Sequence, residues 1–294
     1  MMEIRKLKKS LLKAELKRQR SKSKKHRWLV RGAACLLVLL IASGIAYYFN
    51  IDKVLDKDFA RAEALVEEGE YQRAADSFRS LYDHHPGFAR APEALFQAGE
   101  IQNLYLKRYH EALLAYLLVE KDYPESVYFR RAQAQVADIY KNRLRDYSRA
   151  IVAYQKLLDG GAPNLDSVQY EVADIYFRMN NFEQARIEFE SLLKNYPESP
   201  LVPEVHYRIG VAYSLEEAPA EAEEAFRAVI KEWPDSPYAV EARYGLAGVL
   251  EDQEQLRSAL QVLEDLQGIY PNAEALAQRT EQVRERIRKK KKAI

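Results

Sequence analysis

The chain has 294 residues, with 45 Lys/Arg against 44 Asp/Glu, 11 glycines, 11 prolines, 20 tyrosines and one cysteine. So few glycines and prolines argue against a loop-rich or all-β fold, and a lone cysteine, Cys35, excludes an intrachain disulfide. The near-zero net charge hides an asymmetry: residues 1–31 hold thirteen Lys/Arg and two acids, residues 284–292 hold seven and one, and the rest stands at −16. An acidic body repels phosphate backbones, so no nucleic-acid partner is expected for it.

Residues 1–31 form a basic segment in which Ile4, Leu7, Leu11 and Leu12 recur at helical spacing among lysines. Such a segment fits an anionic lipid surface, or serves only to set topology. Residues 32–51 follow, 20 in a row without a charge, with Trp28 ahead of them and Tyr47 and Tyr48 near their end. That length spans a bilayer as a helix, with aromatic residues at the interfaces. The thirteen cations before the run, against seven acids and four bases between Asp52 and Arg73, place the N-terminus in the cytoplasm and the rest outside. The expected topology is therefore a membrane crossed once, with the large domain outside. A cleaved signal peptide ending near Ala42-Ser43-Gly44 fits less well because its basic preface is too long. A lipid-modified Cys35 fits less well because the cysteine opens the apolar run instead of following it. Residues 52–56 read as a short linker.

From 57 to 271 the chain is periodic. Pro86, Pro124, Pro163, Pro197, Pro234 and Pro271 end successive apolar stretches at spacings of 38, 39, 34, 37 and 37, the mark of a repeat architecture. Twelve residues before each proline stands Ala74, Ala112, Ala185, Ala222 or Ala259, and Ala150 with one residue extra. Eight before come Phe78, Tyr116, Phe189, Phe226 and Leu263, with Tyr154 one residue further off; five before come Leu81, Val119, Leu192, Val229 and Leu266, with Leu157 likewise shifted. Steps of four and three put all three on one helix face. An earlier helix in each unit carries Val136-Ala137, Val172-Ala173, Ile209-Gly210 or Leu246-Ala247, the small residue 12 or 13 before the alanine of the next helix. Glu68-Gly69-Glu70 and Asn180-Asn181 read as the turns inside units, and Ser199-Pro200 and Ser236-Pro237 as helix starts with a serine cap, with Pro203 an alternative start for the first of them. Arg61 stands where the first unit's first helix should be apolar. Residues 272–294 read as a closing helix with a basic tail.

This pattern resembles the tetratricopeptide repeat over six units, about three quarters of the chain, with Ala173, Tyr176, Phe182, Ala185, Phe189 and Pro197 in a 34-residue register. The resemblance implies an all-α, helix-turn-helix solenoid. The joints Tyr123-Pro124-Glu125-Ser126, Tyr196-Pro197-Glu198-Ser199 and Trp233-Pro234-Asp235-Ser236 are similar to those of bacterial envelope repeat proteins of the BamD-like and YbgF (CpoB)-like kinds. The topology departs from both, with a retained anchor and no lipobox, and is similar to that of YfgM, which implies an inner, cytoplasmic membrane with the repeat domain periplasmic.

What the family implies is protein or peptide binding along a concave face lined by first helices. Carrying its groove positions onto this chain gives Arg131, Asp138 and Lys141 in the third unit, Tyr170, Asp174, Phe177 and Arg178 in the fourth, Tyr207 and Val211 in the fifth, and Tyr244 in the sixth. Aromatic rings beside charges suit a gripped peptide, although tyrosines that recur with the repeat equally suit packing. The family's carboxylate clamp needs a lysine and asparagines where this chain has Tyr170, Tyr207, Asp174 and Val211, which disfavours chaperone tails. No catalytic constellation, cofactor or metal motif stands out: His84-His85 lies at a helix end and does not share a helix face, and Gly160-Gly161 precedes no phosphate loop. The expected role is a membrane-anchored scaffold of envelope assembly, secretion or division, or else a fixed subunit of such a complex that binds through its edges.

Overall fold

In a computed structural model, described here for residues 2–161 and 164–292, every regular element is a helix. Within that range, the side chains of 2–4, 20–27, 29, 30, 33, 34, 41–43, 45–50 and 292 lie outside the description, as does Pro163, and with them the expected roles of Ile4, Tyr47, Tyr48 and that proline. The elements are α1 (Met2–Glu67), α2 (Tyr71–His84), α3 (Ala91–Leu104), α4 (Tyr109–Asp122), α5 (Tyr128–Asp138), α6 (Tyr147–Asp159), α7 (Leu165–Arg178), α8 (Phe182–Asn195), α9 (Val202–Leu215), α10 (Pro219–Glu232), α11 (Pro237–Asp252), α12 (Leu256–Asp265) and α13 (Ala273–Lys292). A π-helical stretch, Ile139–Leu144, continues α5. The chain divides into two compact units, residues 1–94 and 95–294.

In the first unit α1 runs unbroken through residues 52–56, so the expected linker is helical. No glycine or proline lies between Gly44 and Gly69 to interrupt it. Its last turns supply the first helix of the first repeat. There Leu55, Phe59 and Ala62 are buried, with the Phe59 ring edge-on to Phe78 at 5.0 Å. Arg61 points to solvent and pairs with Asp58 at 2.6 Å. The apolar position is thus Ala62, twelve residues before Ala74, and the exposed Arg61 is no flaw in the repeat. Among the described residues no helix is long and apolar enough to cross a membrane, and eleven side chains of the 32–51 run fall outside them.

In the second unit the helices pair as antiparallel hairpins that pack on their sequence neighbours, ending in α13. All six alanines of the second-helix position are fully buried, and the large and aliphatic residues four and seven further on are buried in every repeat. One ring shows why the first-helix partner must be small. Phe226 on α10 wedges between α9 and α11, and a Cβ at Gly210 or Gly245 would stand 2.9 or 2.8 Å from its carbons. Gly99 meets Tyr116 in the same way at 2.7 Å.

The turn inside each repeat is uniform. Gly69, Lys107, Arg145, Asn180, Glu217 and Glu254 all have φ between 54° and 79°, and each lies five residues before the second-helix alanine. Four of the six are neither glycine nor asparagine, so the turn geometry overrides a local cost of roughly 1–2 kcal/mol per residue. In four repeats the next amide donates to the carbonyl five residues back, as Asn181 does to Tyr176 and Ala218 to Tyr213. In the second and third repeats it reaches six back, Arg108 to Gln102 and Asp146 to Tyr140. The wider loop absorbs the thirteenth residue between the small residue and the alanine, and in the third repeat it takes the form of the π-helical stretch.

The joints differ in detail. Ser236 caps α11, its side chain accepting the Tyr238 amide, with Pro237 in the first turn. Ser199 does not cap α9, which starts at Val202 after Leu201 and carries Pro203 in its first turn. The Ser199 hydroxyl accepts the Leu201 amide at 3.2 Å, ahead of the helix, and donates to Asp166 at 2.6 Å, tying the joint back to α7. The closing helix buries Leu276, Thr280 and Val283 at steps of four and three and pins the last repeat through Arg279 and Arg286 to Glu251 at 2.8 and 3.2 Å.

Gly210→Ala forces the buried Phe226 ring to move and is expected to destabilise the fold by about 1–3 kcal/mol. Chemical denaturation followed by far-UV circular dichroism measures this, and an unchanged midpoint would contradict the wedge.

Candidate functional site

The first helices of the second unit stand side by side, because each hairpin buries its second helix against the hairpins before and after it. Residues one repeat apart therefore meet across neighbouring first helices. Lys141, on the π-helical stretch, reaches α7, where its ammonium lies 2.6 Å from Asp174 and also pairs with Glu171. Lys141 is 3 % exposed and Asp174 4 %. The second oxygen of Asp174 takes Arg208 of α9 at 2.9 Å, while Arg178, one turn along α7, binds the first at 2.7 Å. The Arg208 guanidinium also lies over the Phe177 ring at 5.0 Å and donates to the Tyr170 hydroxyl at 3.2 Å. Tyr170 in turn donates to one oxygen of Glu204 on α9, and Tyr238 of α11 donates to the other. A continuous polar ladder thus runs from the third repeat to the sixth.

Its electrostatics are self-consistent. Burial pushes the Asp174 carboxyl up, but hydrogen bonds and charges from Lys141 and Arg178 outweigh that and hold it below the usual carboxylate range. Burial and the Glu204 carboxylate raise the Tyr170 hydroxyl well above its ordinary value and push Tyr238 up to about 12. Both tyrosines therefore stay protonated donors at neutral pH. Three cations, Lys141, Arg178 and Arg208, face three carboxylates, Glu171, Asp174 and Glu204, which leaves the ladder neutral.

Of the ten residues nominated from the sequence, Lys141, Tyr170, Asp174, Phe177 and Arg178 come together in this ladder. Tyr207 and Val211 pack on the Phe226 cluster instead, Tyr207 lying 6.0 Å from that ring and 5.9 Å from Tyr238. Tyr244 belongs to the C-terminal cluster, stacked on Tyr270 at 4.4 Å beneath Arg279. Arg131 extends over the rings of Phe96 and Tyr128 at the start of α5, and Asp138 accepts a hydrogen bond from Asn142 at 2.6 Å. Sequence reasoning missed Glu171, Glu204, Arg208 and Tyr238. The signal was present as a 34-residue step, Tyr170 to Glu204 to Tyr238 and Asp174 to Arg208.

The ladder leaves a wall whose side chains are held by one another. Arg178 and Arg131 remain exposed on it. Among the described residues no group of three or more His, Cys, Asp or Glu is placed to hold a metal ion.

Asp174→Asn leaves the buried Lys141 ammonium with Glu171 as its one carboxylate partner and removes the charge that Arg178 and Arg208 face, and is expected to cost about 3 kcal/mol, the low end for breaking a buried pair from one side. Lys141→Met leaves Asp174 with two guanidinium partners and should cost less; urea denaturation of both variants checks the order. The depressed Asp174 carboxyl contributes stability that is complete above the unfolded carboxylate value of about 3.9 and is lost as pH falls through its lower folded value. Wild-type stability should therefore drop more steeply than that of Asp174→Asn as pH falls below about 4, in denaturation curves at matched ionic strength.

Comparison with known proteins agrees with this geometry. Two family models, both described as tetratricopeptide repeat, match the chain, one at residues 59–127 and 170–237 and the other at 215–280, together more than half of it. No curated protein matches the sequence. Among solved structures the chain is similar to a tetratricopeptide repeat protein from Parabacteroides merdae, at 18% identity and TM-score 0.52, covering 73% of this chain and 79% of that one. It is also similar to PilW, described as a type IV pilus biogenesis factor, at 15% identity and TM-score 0.49 over 76% and 97% of the two chains. A third is YrrB, described as having an unusual peptide-binding site, at 17% identity and TM-score 0.49 over 71% and 99%. The interlocking helix hairpins and the matching family models lead to one conclusion: this chain belongs to the tetratricopeptide repeat family, with its all-α solenoid fold.

Proposed function

We propose that the chain is a membrane-anchored adaptor that docks other proteins on the first-helix wall of residues 95–294. The observation that carries this reading is the polar ladder. It fixes the wall's side chains before any partner arrives, and a preorganised surface loses less conformational freedom on binding. Arg131 stands exposed on that wall over the Phe96 and Tyr128 rings, and Arg178 stands exposed beside Asp174; an arginine on aromatic rings is the combination that enriches at binding hot spots.

The anchor is supported by the composition of residues 32–51 and by the exposure of its described centre. Leu36, Leu37, Val38, Leu39 and Leu40 are 59–68% exposed, a contiguous apolar patch of the kind that water-facing proteins do not leave open. The basic preface puts the N-terminus in the cytoplasm and the repeats on the outer side of an inner membrane, with residues 1–31 against anionic lipid. Leu7, Leu11, Leu12 and Leu16 are all exposed there among the cations. The envelope of a bacterium, and within it assembly of the outer membrane, secretion or division, is the setting that the joints between repeats favour.

A second reading makes the chain a fixed subunit that binds through its edges. Its support is the row of exposed aliphatic side chains on second helices, Leu114 and Leu117 on α4, Val152 on α6 and Ile187 on α8, taken with a wall whose charges already satisfy one another.

The anchor is tested by alkaline carbonate extraction of membranes containing the full chain. The protein should stay in the pellet, a variant lacking 32–51 should move to the supernatant, and protease added outside spheroplasts should digest the repeats. Extraction of the intact chain, or protection of the repeats, would overturn it. Crosslinking in the same membranes separates the two docking modes. Arg131→Glu with Arg178→Glu should cut the yield of crosslinked partners about tenfold if the wall docks them, and leave it unchanged if the edges do.

A further inference from the structure

On the opposite side of the last hairpins, a groove of about 620 Å³ opens between the second helices α10 and α12, with α11 as its floor. Ile230, Leu246 and Val262 line it with aliphatic surface, and Arg227, Lys231 and Arg243 bring three cations against one acid, Asp265. The Asp265 carboxylate already accepts a hydrogen bond from Gln261 at 2.9 Å. Two of the cations are held loosely: Arg227 by Glu223 at 2.8 Å and Lys231 by Glu232 at 3.0 Å, both as exposed pairs between near neighbours on one helix. Such pairs are worth little and exchange readily for another carboxylate.

Arg243 differs from the residues that hold its place in earlier repeats. The position lies four before the small residue of the first helix. In the fourth repeat it is Gln169, which donates to Glu188 of the following second helix at 2.6 Å. In the fifth it is His206, stacked on Trp233 at 4.9 Å. Tyr270, one 37-residue step beyond Trp233, turns instead to stack on Tyr244. Arg243 is left half-buried at the aliphatic floor with no hydrogen bond or ion pair among the described residues. A guanidinium cannot shed its charge, and a half-buried one without a partner carries a desolvation cost that an incoming carboxylate recovers.

We propose that this groove docks an acidic segment of a partner protein, a carboxylate side chain on Arg243 and an aliphatic one on Ile230 and Val262. The volume takes a few side chains. The floor offers aliphatic carbon and no ring on which a base could stack, which favours a peptide over a nucleic acid. A body at −16 outside its two basic ends would also repel a long polyanion, whereas one or two local carboxylates meet a local excess of cations. The proposal stands independently of whether the first-helix wall docks a partner, since the two surfaces share no residue.

The test uses the full chain in detergent micelles and fluorescence anisotropy with three labelled peptides: one with two leucines flanked by glutamates, its glutamine counterpart and its lysine counterpart. The glutamate peptide should bind roughly tenfold more tightly than the glutamine one, as expected for one charge-assisted hydrogen bond, and the lysine peptide should not bind. Arg243→Gln should abolish that preference and Arg243→Lys should restore part of it. An unchanged melting temperature for Arg243→Gln confirms that folding is not what changed. Equal binding of the glutamate and glutamine peptides, no binding of any peptide, or an Arg243→Gln variant that keeps the preference would each overturn the proposal. So would a single-stranded oligonucleotide that binds as tightly as the glutamate peptide and loses its binding in Arg243→Gln.

Discussion

A bulky side chain pressed against a residue that has almost none is the contact on which the repeat architecture rests. Phe226 fills the space that glycines leave on α9 and α11, and Tyr116 does the same against Gly99. A single hairpin cannot cover the apolar stripe of its second helix, so the stripe is buried only when the next hairpin arrives. The crossing tolerates this because its small residues let the backbones approach. From that one constraint follow the fully buried alanine of every second helix and the side-by-side placement of first helices.

Neighbouring first helices bring polar groups together that lie 33 or 34 residues apart in sequence. The chain uses this to bury charge. Lys141 and Asp174 are nearly inaccessible, yet each has partners enough to satisfy it. A buried ion pair is seldom a net gain over aliphatic packing, because desolvation consumes most of the Coulomb attraction. Its consequence here is geometric. Asp174 receives cations from three directions, and Glu204 spans two tyrosines on different helices, so neighbouring repeats are held in one register. The same bonds that align the repeats also immobilise the surface a partner would meet.

Variation in repeat length is absorbed where it does least harm to that register. The left-handed residue before each second helix keeps its place relative to the buried alanine in all six repeats, at a conformational cost for Lys107, Arg145, Glu217 and Glu254. An additional residue widens the closing hydrogen bond from five to six residues, and the apolar face beyond it is unmoved. In the third repeat the widened turn carries Lys141, so the irregular backbone and the most deeply buried cation among the described residues coincide.

The sequence by itself determined the helices, their pairing and the core. Small and large residues at steps of four and three leave one helix face to bury, and that face needs no knowledge of the third dimension to be read; all eighteen residues marked by the proline period are buried. The closing helix was legible for the same reason. Register was less so. Ala62 was hidden behind Arg61, and Ser199 looked like the cap that Ser236 is, because one residue's displacement leaves composition unchanged. Only the tertiary structure decided what the polar residues do. Whether Tyr170 is free to grip a ligand or is spent on Glu204, and whether Arg243 finds a partner as Gln169 and His206 do, depends on what the neighbouring repeat places within about 3 Å, the reach of a hydrogen bond. Periodicity specifies which residues recur, and a hydrogen bond depends on the one residue that faces them.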